Sequence, residues 1–416
     1  MSSLDPRLSQ FDPDIAQAID AEARRQLDTI DLIASENHTH PEVLATNASV
    51  LTDKYAEGYP GKRYYAGQQH YDAIENIAVE RAKQVFAAEH ANVQPLSGSP
   101  MNQAVYFGLL NPGDTILAME LSHGGHLTHG SPLSHMGKIF RFIRYATAGA
   151  KGDIDFDAVR KLALEHRPKL VLCGHSSYPR EIDYAAFKRI ADEVGALTMA
   201  DVSHIGGLIA GGVLRNPLLD GFDVMTTTMH KTLRGPRGGL ILCRAAHTKV
   251  IDHSVFPGLQ GGPHMHTIAG IAVALKKAGT NEFREYCRQV LLNANALAQA
   301  LKKLGAMLIT GGTENHLMVV DVEKSYGLNG DVAQQRLEGV GIVCNKQVIP
   351  DDTAPPMRPS GIRLGSPAAT VRGMREADMN QIAIWTDAAL RGNRDRDGIA
   401  REVVNFARRF PVPTLN

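Results

Sequence analysis

Val224-Met225-Thr226-Thr227-Thr228-Met229-His230-Lys231-Thr232-Leu233-Arg234-Gly235-Pro236-Arg237-Gly238-Gly239 runs a β-branched segment into a glycine-rich turn that carries one lysine. A histidine precedes that lysine and two arginines follow it, and burial beside such cations would lower its pKa and suit it to Schiff-base chemistry. An arbitrary lysine at a strand end is more often a solvated residue. The company of Lys231 argues otherwise, because Asp201 ends a separate strand-like segment, Leu197-Thr198-Met199-Ala200-Asp201-Val202-Ser203-His204. An acid on one strand and a lysine on the next meet two needs of pyridoxal phosphate: an amine for its aldehyde and a carboxylate for its ring nitrogen.

The chain has 416 residues, 44% of them hydrophobic, enough for a large domain and a smaller one. Its 44 basic and 44 acidic residues cancel, with no block of like charge, so no nucleic-acid or membrane partner is expected and a small molecule is. The four cysteines are far apart and unpaired in sequence, which fits reduced packing residues and not a zinc or disulfide framework. Acids and a proline stand where a signal peptide needs a basic start and an apolar core. No stretch approaches the ~18 apolar residues of a membrane span, so a soluble, cytoplasmic protein is expected.

Periodicity predicts a surface helix over 12–30 with spaced Ile15, Ile19 and Leu27, and a further helix over 70–90. Leu96-Ser97-Gly98-Ser99-Pro100-Met101-Asn102 opens another helix whose free amides could receive a phosphate, although Ser-Gly-Ser alone is a weak signal. Strands at 115–121, 169–173 and 197–201 then alternate with helices at 156–165 and 184–194, implying a mainly parallel sheet with the site at its strand ends. A long helical stretch over 264–305, broken near Gly279-Thr280-Asn281, leads to strands at 316–322 and 341–345 and a helix at 376–390 with Trp385. The expected organisation is an N-terminal arm (1–30), a large cofactor-binding domain (31–280) and a small C-terminal α/β domain (281–416). No repeat or low-complexity segment is visible, and Pro350, Pro355, Pro356 and Pro359 mark one loop.

The lysine segment resembles the cofactor-lysine signature of the serine hydroxymethyltransferase family, and the similarity runs from about Asp31 to about Phe410. The resemblance implies the α/β fold type I of pyridoxal-phosphate enzymes (aspartate aminotransferase-like) and tetrahydrofolate as co-substrate. It also implies a homodimer, or a tetramer built from dimers, embraced by the N-terminal arm. By the same resemblance Lys231 holds the cofactor, Asp201 its ring nitrogen, and Ser97, Gly98 and Ser99 its phosphate. His126 stacks on the ring, and His204 and Ser176 serve the phenolic oxygen and its surroundings. Tyr55 and Gly262 reach in from the second subunit. Thr228 and His230 flank the chemistry beside Lys231.

Ser35, Tyr65 and Arg363 are the substrate contacts that the resemblance implies, with the arginine fork gripping the carboxylate through both oxygens. Glu57 handles protons at the one-carbon transfer and faces folate together with Tyr64, Leu121, Gly125, Leu127 and Gln347. The tyrosines, glutamate and bases of Tyr55-Ala56-Glu57-Gly58-Tyr59-Pro60-Gly61-Lys62-Arg63-Tyr64-Tyr65 look like binding apparatus and not core. The loop Leu121-Ser122-His123-Gly124-Gly125-His126-Leu127-Thr128-His129-Gly130 contains no carboxylate or thiolate to complete a histidine metal site, so no metal is expected.

Several positions depart from the family pattern: Pro100 and Met101 after the Ser-Gly-Ser turn, His175, Ser203 and Gly206, Met229, Gln347, and Pro356-Met357-Arg358-Pro359. By the resemblance, those up to Met229 ring the cofactor without removing a catalytic group, Gln347 and the 356–359 segment lie where the aminobenzoyl end of folate is expected, and together they leave two alternatives to serine open. One is 2-methylserine with D-alanine as product, which needs room at Cα from Ser203 or Gly206. The other is a folate-independent aldolase of the threonine type. A non-catalytic regulator would have lost Lys231 or gained a basic stripe, and neither is the case.

Overall fold

The computed structural model describes residues 6–149 and 152–415, and the chain divides into two compact units, Thr39–Arg288 and Met1–His38 with Gln289–Asn416. The first is built on a seven-stranded sheet. Its strands are β1 (His90–Asn92), β2 (Thr115–Met119), β3 (Arg141–Tyr145), β4 (Leu170–Gly174), β5 (Leu197–Asp201), β6 (Val224–Thr228) and β7 (Gly239–Cys243). Their order across the sheet is β1-β7-β6-β5-β4-β2-β3. All run parallel except β7, which pairs antiparallel with both β6 and β1.

Residues of β4, β6 and β7 are buried throughout, as they must be in a sheet covered by helices on both faces, and this is why they read as runs and not as alternations. The helix α1 (Gly98–Leu109) packs Met101, Val105 and Tyr106 against Ile116, Leu172, Met199, Val224 and Ile241. Helices α2 (Phe156–His166) and α3 (Tyr184–Val194) are each started by an aspartate, Asp155 and Asp183, that accepts from a first-turn amide. Chain reversal after each parallel strand sends the loops following β2, β4, β5 and β6 to the same edge of the sheet, where ligands of this fold class bind.

The expected long helix is two helices, Met265–Ala278 and Asn281–Lys303, and Thr280 accepts from the Phe283 amide at the start of the second. The β2 strand ends at Met119 and not at 121, because the Glu120 side chain accepts from Leu121 and starts a tight turn over Leu121–His123.

The second unit holds a four-stranded antiparallel sheet in the order Met307–Leu308, Leu317–Asp321, Gly361–Gly365, Asn345–Gln347. The strand expected at 341–345 is two pieces: Ile342–Val343 pairs parallel with Ile30–Asp31, while Asn345–Gln347 pairs with Gly361–Gly365. That first pairing moves the N-terminal boundary from 30 to 38, because Ile30 and Leu32 enter a core with Leu297, Val320, Leu337 and Ile362. The helix Pro13–Asp28 leads into it, and the buried Arg372 guanidinium donates to the carbonyls of Gln26, Leu27 and Thr29. The C-terminal boundary lies at 288 and not at 280, inside the helix Asn281–Lys303. Among the described residues no helix is long and apolar enough to cross a membrane.

Candidate active site

Asp201 ends β5 as a buried carboxylate with three protein donors. Its Oδ2 accepts from Asn102 Nδ2 at 2.8 Å and faces His129 Nε2 at 3.1 Å, while Oδ1 accepts the Ser203 amide at 3.1 Å. Burial by itself pushes this carboxyl up, but His129, first through its hydrogen bond, with His126 and the Ser203 side chain behind it, more than reverses that and holds the group well below the usual carboxylate range. The result is a fixed anion with an open lone pair on Oδ1.

Lys231 stands in the loop between β6 and β7, half-buried. That loop is closed by backbone bonds from Met229 to Gly238 (3.0 Å), Gly235 to Met229 (2.7 Å) and Arg234 to Lys231 (3.0 Å). Thr232 secures it further, accepting from the Gly207 amide and donating to the His204 carbonyl. His230 and His126 both sense the lysine's charge. Burial, then Arg237 and Lys231, bring His230 down to about 3, and its Nδ1 is buried with no hydrogen-bond partner among the described residues. Burial first, then His129 and Lys231 against the opposing Asp201, bring His126 down to about 4.

The Ser97-Gly98-Ser99 turn opens α1 directly beside β6: a Cβ on Gly98 would lie 2.8 Å from the Thr228 methyl. The Ser97 hydroxyl makes no capping bond, so the first-turn amides face outward unclaimed by that side chain. Ser176 and Ser177 donate their amides to the Gly124 carbonyl, binding the loop after β4 to the loop after β2. Gly125 is required by packing, since a Cβ there would collide with the Met119 carbonyl; Leu121 is half-buried and Leu127 is exposed.

The segment 55–65 divides into two sets of side chains. Tyr55, Tyr64 and Tyr65 are 60%, 72% and 48% exposed, with Tyr55 packed on Gly262 and Glu57 beside Gly261. The reading of the whole loop as binding apparatus fails for Arg63 and Tyr59. Arg63 pairs with Glu75 at 2.6 Å and Asp72 at 2.9 Å and donates to the carbonyls of Ala56 and Gly58. The Tyr59 hydroxyl donates to the Asp252 carbonyl and accepts from Asn92. These are the struts that present the other side chains. Arg63→Ala would leave Glu75 buried without its cation, and a fall of about 3–5 kcal/mol in unfolding free energy is expected. Urea denaturation checks this; a loss under about 1 kcal/mol would mean that water replaces the pair.

His129 and His126, on the loop after β2, lie with Asp201 so that one ligand atom from each falls within 4.8 Å of the others. The expectation that no carboxylate accompanies these histidines is therefore corrected: Asp201 arrives from β5. Each imidazole nevertheless has another partner, since His126 Nδ1 meets the Thr128 hydroxyl at 2.7 Å and His129 bonds Asp201 itself.

Ser35, Gln347 and Arg363 belong to the other unit. Arg363 is buried on the strand Gly361–Gly365, its Nε donating to Asn345 at 3.0 Å, and burial lowers its pKa to about 10. Gln347 donates to the Val348 carbonyl, and Ser35 is half-buried.

A family model for serine hydroxymethyltransferase matches residues 8–386. The chain belongs to that family. A protein of Sorangium cellulosum (strain So ce56) named serine hydroxymethyltransferase is 50% identical over 411 residues, covering 98% of this chain and 97% of the relative. Serine hydroxymethyltransferases are pyridoxal-phosphate enzymes of fold type I, and the residues here fit the cofactor. The open lone pair of Asp201 suits a pyridinium N–H, Gly98 leaves a close approach at a helix start, and Lys231 and the unpartnered His230 Nδ1 lie beside them.

Sequence reasoning passed over Asn102, His129 and Ser203, which hold Asp201. Asn102 and His129 bracket segments already singled out for other reasons. Only the folded chain shows that both turn toward one carboxylate.

Proposed function

We propose that this serine hydroxymethyltransferase family member transfers the hydroxymethyl carbon of serine to tetrahydrofolate, giving glycine and 5,10-methylenetetrahydrofolate, as a cytoplasmic homodimer. The observation that carries the reading is that Asp201, held by three donors with a lone pair of Oδ1 left open, ends the strand beside the one that leads to Lys231, in a chain of this family. Bound pyridoxal phosphate supplies an aldehyde for the lysine amine and a protonated ring that takes up the electron pair left at Cα.

The protein's own groups do the rest. Asp201 keeps a fixed negative charge and would hold the cofactor's ring nitrogen protonated. Lys231 would supply the amine that holds the cofactor's aldehyde and would keep that amine, free to carry a proton, when a substrate amine takes its place. The Ser97–Ser99 amides, with Tyr55 and Gly262 of the second subunit, hold the phosphate. His126 would stack on the cofactor ring, His204 would serve its phenolic oxygen, and Ser176 would contact the cofactor. Arg363, with Ser35, grips the substrate carboxylate, and a guanidinium already stripped of water binds an anion more strongly than a solvated one. Glu57 moves the proton at the one-carbon transfer, with Thr228 and His230 beside Lys231 and Tyr65 lining the pocket. Tyr64, Leu121, Gly125, Leu127 and Gln347 receive the folate. The exposed tyrosines at 55, 64 and 65 support the dimer: large rings left in water by one chain are suited to a partner's surface.

Ser203 and Gly206 speak against 2-methylserine. The Ser203 hydroxyl accepts from the Thr228 amide at 3.2 Å, and a Cβ on Gly206 would collide with the Thr227 hydroxyl, so the space at both departures is taken up by packing on β6, which supports serine as the substrate.

The test is the visible spectrum of the purified protein with cofactor and tetrahydrofolate, with glycine in one sample and D-alanine in another. A long-wavelength band with glycine supports the serine reaction. A band with D-alanine alone would replace it by the 2-methylserine reaction, and turnover of a β-hydroxy amino acid undiminished without folate would favour the aldolase.

A further inference from the structure

The hydrogen bonds around Asp201 extend into a chain whose protons can be placed one by one. Asp201 accepts only, so the atom of Asn102 that faces it must be Nδ2, and Oδ1 of the same amide accepts from the Thr226 hydroxyl at 2.9 Å. Nδ2 carries two protons. One goes to Asp201 at 2.8 Å and the other to the Thr128 hydroxyl oxygen at 2.9 Å. That hydroxyl has one proton of its own, and its remaining neighbour is His126 Nδ1 at 2.7 Å. The Thr128 amide also points at Nδ1, from 3.2 Å. With two donors aimed at it, Nδ1 carries no proton.

We propose that Thr128 and Asn102 are positioning residues that fix His126 as the neutral imidazole protonated on Nε2, through the relay Asp201, Asn102, Thr128, His126. The same accounting fixes the neighbouring ring: His129 Nδ1 accepts from the His126 amide at 3.2 Å, leaving Nε2–H to face Asp201. Tyr106 donates to the Thr128 carbonyl at 3.0 Å and sets the backbone from which the hydroxyl reaches. Asn102 and Thr128 are buried, so water does not compete for these bonds.

The consequence for the site rests on the reading that His126 lies over the cofactor ring. A ring protonated at its nitrogen is electron-poor and cationic, and an imidazolium laid over it would repel it, whereas a neutral imidazole stacks. The low pKa of His126 agrees with the neutral form. One carboxylate therefore serves two ends of the cofactor site: it faces the ring nitrogen directly and, through Asn102 and Thr128, holds the stacking ring uncharged and in one orientation.

The test reads the tautomer itself. Holoenzyme labelled with 15N in its histidines is examined by NMR near neutral pH without substrate, and the His126 signals are assigned by their loss in His126→Asn. The wild type is expected to show Nε2–H with a bare Nδ1. Thr128→Val, which keeps the backbone donor but not the hydroxyl, is expected to lower the ratio of the two tautomers by about tenfold, the worth of one hydrogen bond. Thr128→Ser is expected to restore it. Asn102→Ala, which releases the hydroxyl from its forced direction, is expected to lower the ratio by a smaller factor and decides the matter if Thr128→Val does not fold. Protonated Nδ1 in the wild type, or a ratio unmoved in the folded variants, would overturn the relay. The readout involves no substrate, so failure of the serine assay leaves it standing.

Discussion

Lys231→Ala is expected to lose the visible absorption of the bound cofactor and at least about 10⁴-fold in kcat with serine and tetrahydrofolate, the scale on which removing a covalent catalytic group acts. The fold is expected to survive. The loop around Lys231 is held by the backbone bonds of Met229, Gly235 and Arg234 and by the Thr232 hydroxyl, none of which uses the lysine side chain. Unchanged far-UV circular dichroism together with lost absorption is therefore the expected pair of results. Turnover within about tenfold of the wild type would show that another amine carries the chemistry, and the reading of the site would fall with it.

Asp201→Asn is the second large effect, expected to cost roughly 10³-fold in kcat and to weaken cofactor retention, with a smaller change in KM. The geometry says why an isosteric change is so severe. Two donors converge on Oδ2 and one on Oδ1, and an asparagine must place its NH₂ at one of these positions. Turned toward Ser203, the new amide sets donor against donor and faces a pyridinium N–H with a further N–H. Turned the other way, it opposes both Asn102 and His129. Either choice leaves buried polar groups unpaired at about 1–3 kcal/mol each, so the melting temperature is expected to fall as well. Measuring kcat and cofactor dissociation on one preparation separates these effects. A variant that keeps both within about threefold would mean that the carboxylate charge is not used.

The large sheet was legible because helix-covered parallel strands announce themselves as short apolar runs, and the helices at 156–166 and 184–194 because an aspartate cap precedes each apolar stripe. The short strands of the second unit were legible only in part. Ile342–Val343 and Asn345–Gln347 read as one element, since nothing local records that the first pairs with Ile30–Asp31 and the second with Gly361–Gly365. The same long-range pairing set the N-terminal boundary. Arg63 was misread for a related reason: a charged residue in a glycine-punctuated loop looks solvated until Glu75 and Asp72 are found beside it.

By itself the sequence singled out Lys231, the acid on the neighbouring strand, the Ser97–Ser99 turn and the alternation that makes a doubly covered sheet, because each is written in local chemistry and local period. Tertiary structure alone decided that Asn102, His129 and Ser203 gather at Asp201, that Thr128 joins them through Asn102, and that Arg63 is a strut. Hydrogen bonds between residues far apart in the chain depend on how separate loops meet at one edge of a sheet, and no local pattern encodes that meeting.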